Sequence, residues 1–93
     1  MIGNLSPYSW SSEQSVAYEA AVEAINGVVG AYSRLIADAE QRPGAEDTVA
    51  EYRRLRTACQ QERRALRAED SEAVARVRAE YAARLRELTE RDA

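Results

Sequence analysis

The sequence predicts an all-α protein built as an antiparallel helical hairpin, and three observations support that fold class. An unbroken heptad comes first, a Pro-Gly turn follows it, and a second run of apolar residues at similar spacing occupies the C-terminal half. Apolar residues separated alternately by four and three positions lie on one face of a helix, which is typical of helices that pack side by side as in a coiled coil. The first seam consists of Tyr18, Val22, Ile25, Val29, Tyr32, Ile36 and Ala39.

The N-terminal residues 1–10 predict an extended, irregular arm. They contain Gly3, Asn4 and Pro7, which disfavour a helix, but also Tyr8 and Trp10, which are too apolar for a fully solvated tail. We expect the arm to cover an apolar edge of the helices. The alternative is a docking segment for another protein, because Trp and Tyr are frequent in binding hot spots.

The first helix is predicted near residues 12–41, within 11–42, with Ser11 as its N-cap. Asn26-Gly27 is also a hairpin-turn pair, but the heptad continues through it without a change of phase, so a continuous helix is favoured. Beside the seam runs a second stripe of small residues. Because apolar and small residues cover about 200° of this helix, more than the usual ~100°, we expect it to contact two neighbours. The small stripe comprises Ala17, Ala20, Ala24, Gly27 and Ala31.

A turn at residues 43–46, containing Pro43 and Gly44, separates this helix from a second predicted near 46–90, within 47–91. Thr48 and Glu51 form a capping-box pattern at its start. Its seam is interrupted by Asp70, and two structures are compatible with that. The first is one continuous helix of about 65 Å, which we favour because the segment lacks Gly and Pro. The second is a break near 69–71, with Asp70 or Ser71 capping a third helix.

A continuous second helix would extend beyond the first and leave part of its seam uncovered. We therefore expect a homodimer that completes a four-helix bundle, because exposed apolar seams of this kind are usually covered by another subunit. The expected interface comprises Tyr18, Val22, Ile25, Val29, Tyr32, Ile36, Tyr81, Leu85 and Leu88.

The composition indicates one small domain, residues 1–93, without a cofactor or a metal. Cys59 is the only cysteine and histidine is absent, so the sequence offers neither an intrachain disulfide nor a His/Cys metal cage. We interpret Cys59 as a buried, unreactive side chain. No segment resembles a signal peptide or a membrane span, so we expect no membrane association and a cytoplasmic location.

Charge is distributed unevenly along the chain. Residues 1–51 carry eight acids and two arginines, a sum of −6, whereas residues 52–93 carry eleven arginines and eight acids, a sum of +3. The two halves can attract each other within one chain or orient two chains in a dimer. The densest basic run is a candidate anion-binding face, and it comprises Arg53, Arg54, Arg56, Arg63, Arg64 and Arg67.

These patterns favour a non-enzymatic protein–protein interaction module, an accessory or regulatory subunit. A regulator that binds nucleic acid or another polyanion through the Arg53–Arg67 face is the alternative, although the acidic net charge of −3 disfavours it. A small all-α enzyme or ligand binder is a third possibility. It would require a cleft in which Arg and Tyr side chains converge with Glu62 or Asp70, whereas a polyanion binder would require unpaired, aligned arginines.

Overall fold

The computed structural model describes the backbone of residues 2–92 and the side chains of residues 12–90. All regular structure within those bounds is α-helical, which confirms the predicted class. Helix α1 spans Ile2–Glu40, α2 spans Glu46–Ala65 and α3 spans Ser71–Asp92.

The first helix begins at Ile2, so the predictions of an extended arm over residues 1–10 and of Ser11 as the N-cap are wrong. Helix formation is cooperative, and adding a residue to an existing helix is much easier than starting one. Helix α1 continues through Pro7, although this ring removes one backbone hydrogen bond and crowds the carbonyl four residues earlier, at a cost of about 3 kcal/mol. The expected roles of Tyr8 and Trp10 concern side chains outside the described range.

The turn between α1 and α2 occupies residues 41–45 and contains Pro43 and Gly44, close to the predicted turn. Gly44 has a φ of 79°, a left-handed conformation that glycine adopts without strain. Helix α2 starts with Ala45 at its N-cap and no side-chain cap, so the Thr48 capping box is wrong. The acidic residues Glu46 and Asp47 in the first turn interact favourably with the helix dipole instead.

The second helical region is broken between Ala65 and Ser71, so the continuous helix is wrong and the once-broken alternative is confirmed. Leu66 has an extended backbone, with φ −72° and ψ 134°. At the start of α3 the Asp70 carboxylate accepts a hydrogen bond from the Ala73 backbone N–H at 3.1 Å. This is the N-cap geometry that the alternative requires.

The break is explained by burial, since the connecting segment contains no Gly or Pro. A continuous helix would gain about four backbone hydrogen bonds, each worth about 0.5–1.5 kcal/mol. Folding back instead buries large side chains of α3, each worth about 1.5–3 kcal/mol. The free energy gained by burying these side chains exceeds that of the lost backbone hydrogen bonds, so the chain reverses direction. The buried side chains are Val74, Val77, Tyr81 and Leu88.

Helix α1 packs against both other helices. Near the turn, Val49 of α2 packs with Ile36 and Ala39 of the heptad seam. On the small-residue stripe α3 approaches so closely that a Cβ atom placed on Gly27 would lie 2.9 Å from Leu85 Cδ2. The expectation of two neighbours is thus met, and both belong to the same chain.

The interior consists mainly of apolar side chains from all three helices. Tyr81, Leu85 and Leu88 were expected to extend beyond the first helix and remain uncovered, but they pack inside the bundle. Tyr81 is 1% exposed and lies in the same cluster as Ile25 and Val28 of α1. Leu85 is half-buried and packs against that cluster. The third helix therefore covers the surface that a second subunit was expected to cover.

The close approach at Gly27 generates a matched pair of substitutions. We expect Gly27→Val to lower the free energy of unfolding by about 1–3 kcal/mol, because the added side chain overpacks against Leu85. Gly30→Val is the control, since only the flexible Arg34 guanidinium lies within 4 Å of its added Cβ, at 3.9 Å. Urea denaturation followed by circular dichroism measures both, and equal effects would contradict α3 packing on this stripe.

The Asp70 cap generates a second prediction. Asp70→Ala removes the acceptor for the Ala73 N–H, and we expect a loss of about 1 kcal/mol in unfolding free energy. Asp70→Ser keeps an oxygen in the capping position and should preserve most of the stability. If thermal denaturation gives the same midpoint for Asp70→Ala and the unsubstituted protein, α3 does not begin at this cap.

Candidate functional site

A cleft between α2 and α3 brings together three tyrosines and three charged side chains. Its volume is about 480 Å³. The rings of Tyr32 and Tyr52 lie 6.1 Å apart between their centroids, which is within the range for aromatic pairs. We call this region the α2–α3 cleft, and it is lined by Tyr32, Tyr52, Leu55, Ala58, Glu62, Tyr81, Arg84, Glu87 and Leu88.

A hydrogen bond between Tyr81 and Glu62 connects the two helices inside this cleft. The Tyr81 hydroxyl donates to Glu62 Oε1 at 2.6 Å. Burial raises the pKa of the Tyr81 hydroxyl above its ordinary value, and the hydrogen bond to the Glu62 carboxylate raises it further. The phenol therefore stays protonated at neutral pH and serves as a donor. Glu62 is half-buried in the cleft and is partnered there by Tyr81.

Arg84 makes the second connection between α2 and α3. Its guanidinium lies 4.5 Å from the centroid of the Tyr81 ring, in a cation–π arrangement. Its Nη1 also donates to Cys59 Sγ at 3.6 Å. Cys59 is 0% exposed, so the sulfur is enclosed as expected for a seam position.

A second recess, the α1–α2 groove, lies between α1 and the C-terminal end of α2. It has a volume of about 480 Å³ and an apolar floor formed by Tyr18 and Val22, both half-buried. Val22 packs against neither of the two apolar clusters of the interior. The groove is lined by Tyr18, Glu19, Val22, Glu23, Arg63 and Arg64.

Most of the arginines in the candidate anion-binding face have partners within the chain. Arg53 pairs with Glu40 at 2.6 Å and Arg54 pairs with Glu51 at 2.5 Å, which lowers the pKa of the Glu51 carboxyl. Arg67 lies 3.8 Å from Glu69.

The other three arginines of that face differ from one another. Arg56 donates to Ser33 Oγ at 2.9 Å, and Arg63 donates to Asn26 Oδ1. Within the described residues, Arg64 is exposed and makes no hydrogen bond or ion pair. The six side chains are therefore not a uniform unpaired surface.

The structure divides the expected interface residues into two groups. Five are buried in the interior of the single chain, namely Ile25, Tyr32, Ile36, Tyr81 and Leu88. The other four are half-buried, namely Tyr18, Val22, Val29 and Leu85. Of these, Tyr18 and Val22 line the α1–α2 groove and Leu85 packs onto Gly27.

The sequence patterns did not single out Arg84 or the acidic side of the α1–α2 groove. Arg84 lies three positions after Tyr81, which places both side chains on neighbouring parts of one helix face. That spacing was visible in the sequence. The position of Glu19 and Glu23 opposite Arg63 and Arg64 was not, because it depends on the register of α2 along α1.

Two further classes of site are absent from the described part of the chain. No group of three or more Cys, Asp or Glu side chains converges there to hold a metal ion. None of its helices has an apolar stretch sufficient to cross a bilayer.

Comparisons with protein families, with curated proteins and with solved structures give no match for this sequence.

The buried phenol generates a pH-dependent prediction. Tyr81→Phe should lower the free energy of unfolding at pH 7 by about 1–2 kcal/mol, because Glu62 loses its donor. An unfolded tyrosine ionises near pH 10, whereas folded Tyr81 keeps its proton to higher pH. Above about pH 10 the unfolded state therefore binds fewer protons than the folded state, and the stability contributed by Tyr81 falls as pH rises.

Denaturation at several alkaline pH values tests whether the stability contributed by Tyr81 falls as pH rises. The difference between the unsubstituted protein and Tyr81→Phe should shrink above about pH 10. A difference that stays constant or grows with pH would show that the phenol is not held protonated in the folded state.

Proposed function

We propose that this protein is a non-enzymatic protein–protein interaction module, a cytoplasmic accessory or regulatory subunit that associates with another chain through helix packing. The observation that carries the proposal is the apolar floor of the α1–α2 groove. Tyr18 and Val22 belong to the heptad seam, yet α2 covers them only in part. Partly covered apolar residues within a charged rim are typical of the central part of an interface.

The α2–α3 cleft has the convergence of Arg and Tyr side chains with Glu62 that an enzyme or ligand binder would require, but its polar groups are engaged with one another and so favour a structural role. Glu62 accepts from Tyr81, and Arg84 contacts both Tyr81 and Cys59. These contacts join α2 to α3, so the same groups would have to separate before they could act on a substrate. A catalytic nucleophile also needs access, and the only thiol is fully enclosed.

The polyanion alternative is weakened by the partners of the arginines. Phosphate recognition depends on guanidinium groups that are free to replace the counterions of the polyanion. Arg53, Arg54 and Arg67 already lie beside carboxylates. A helix-packing partner, by contrast, uses the groove without displacing those pairs.

Analytical ultracentrifugation tests the proposal. We expect the protein to self-associate at micromolar concentration and Val22→Asp to weaken the association at least tenfold, because a charge would be buried in the interface. Ala82→Asp is the control, since Ala82 is exposed and lies on α3, outside the groove. A protein that stays monomeric up to several hundred micromolar, or equal effects of the two substitutions, would contradict the proposal.

A further inference from the structure

We infer that two copies of this chain pair through the α1–α2 groove, with the acidic side of α1 on one copy facing the arginines of α2 on the other. The inference rests on the proposed function and specifies its partner and symmetry. It starts from the composition of the groove rim, which carries Glu19 and Glu23 on α1 and Arg63 and Arg64 on α2.

The charges of this rim are available for a partner. Glu19, Glu23 and Arg64 are exposed, and within the described residues none of them makes a hydrogen bond or an ion pair. Arg63 donates one hydrogen bond to Asn26, and a guanidinium has five donors. Two acids and two arginines thus surround the apolar floor formed by Tyr18 and Val22.

The groove faces away from α3, so a second copy can approach it. At 100° per residue, Val22 lies about 140° around α1 from Gly27, where α3 packs, whereas Glu23 lies about 40° from Gly27. Helix α3 therefore leaves the side of α1 that carries Val22 open, and Glu23 lies at the edge of the groove nearest α3.

A two-fold axis parallel to the helices satisfies the charges of both copies at once. Rotation about such an axis places α1 of each copy over α2 of the other and leaves every residue at its own height along the bundle. Because Glu23 and Arg64 line the same groove, they share one height, and Glu23 of one protomer then faces Arg64 of its partner. The contact is isologous, so it occurs twice and closes at a dimer.

The alternative two-fold axis, perpendicular to the groove, does not satisfy the charges. Such an axis, lying in the plane of the face, would place α1 over the partner's α1 and α2 over the partner's α2, so the acids of the groove would face the same acids of the partner. This juxtaposition of like charges disfavours the pairing. Charge complementarity therefore favours the two-fold axis that runs parallel to the helices. In that dimer, α1 packs against the partner's α2, and the two helices run in opposite directions.

The area of the face indicates a weak but specific dimer. A surface two helices wide and as long as α2 measures roughly 20 Å by 30 Å, so about 1,200 Å² is buried in total, the lower end of the range for specific interfaces. Since exposed charges are screened by salt, the dimer should weaken as ionic strength rises.

A charge-exchange experiment in full-length protein tests this geometry. Glu23→Arg places arginine opposite arginine in its own homodimer, and Arg64→Glu places acid opposite acid. We expect each variant alone to dimerise at least tenfold more weakly than the unsubstituted protein. An equimolar mixture of the two variants should restore association, because each of the two contacts in a heterodimer then pairs one acid with one arginine.

Two further variants complete the design. The double variant Glu23→Arg/Arg64→Glu exchanges both charges in one chain and should recover the homodimer. Asp38→Arg makes the same change of charge at an exposed position of α1 outside the groove and should leave association unchanged. Sedimentation velocity measures association, and circular dichroism verifies that each variant is folded.

Three outcomes would overturn the inference, and they separate it from the proposed function. If the unsubstituted protein dimerises but the single variants do so equally well, the pairing surface is elsewhere and the interaction module remains. If the single variants lose unfolding stability without losing association, these charges act within one chain. If the unsubstituted protein is monomeric at every concentration, both the inference and the self-association of the proposed function fail.

Discussion

The structure depends on the unusually wide apolar surface of α1. The heptad seam and the small-residue stripe lie side by side on this helix, and one neighbouring helix can cover only one of them. Helix α2 packs on the seam, as at Ile36 and Val49, and α3 packs on the stripe, as at Gly27 and Leu85. The need to cover both surfaces explains why the second helical region reverses at Leu66 although the segment contains no Gly or Pro.

Part of this fold could be predicted from the sequence, and the limits have physical reasons. The helix through Asn26-Gly27, the Pro-Gly turn and two neighbours for α1 followed from periodicity and turn chemistry, which are local properties. The choice between a continuous helix and a capped break at Asp70 was not local. It required comparing a few backbone hydrogen bonds with the burial of Val74, Val77 and Tyr81, whose packing sites lie on α1.

The candidate sites show the same division. The arginine-rich segment suggested an anion-binding face. The carboxylates that pair with these arginines, such as Glu40 with Arg53, could be assigned only from the packed helices. Likewise the reversal of α3 covers most of the seam that was expected to form a dimer interface, and it leaves Tyr18 and Val22 in the α1–α2 groove. The second apolar neighbour is supplied internally, and the association that we propose would use the smaller surface of the α1–α2 groove.

The most direct test of this account is a nuclear Overhauser measurement between the Gly27 α-protons and the Leu85 methyl groups. A mixture of isotope-labelled and unlabelled chains distinguishes contacts within one chain from contacts between chains. Close packing of α3 on α1 predicts a strong intrachain signal, together with non-helical chemical shifts at Leu66. Helical shifts from residue 60 through residue 75, with no Gly27–Leu85 signal or with one that arises only between chains, would contradict the three-helix arrangement.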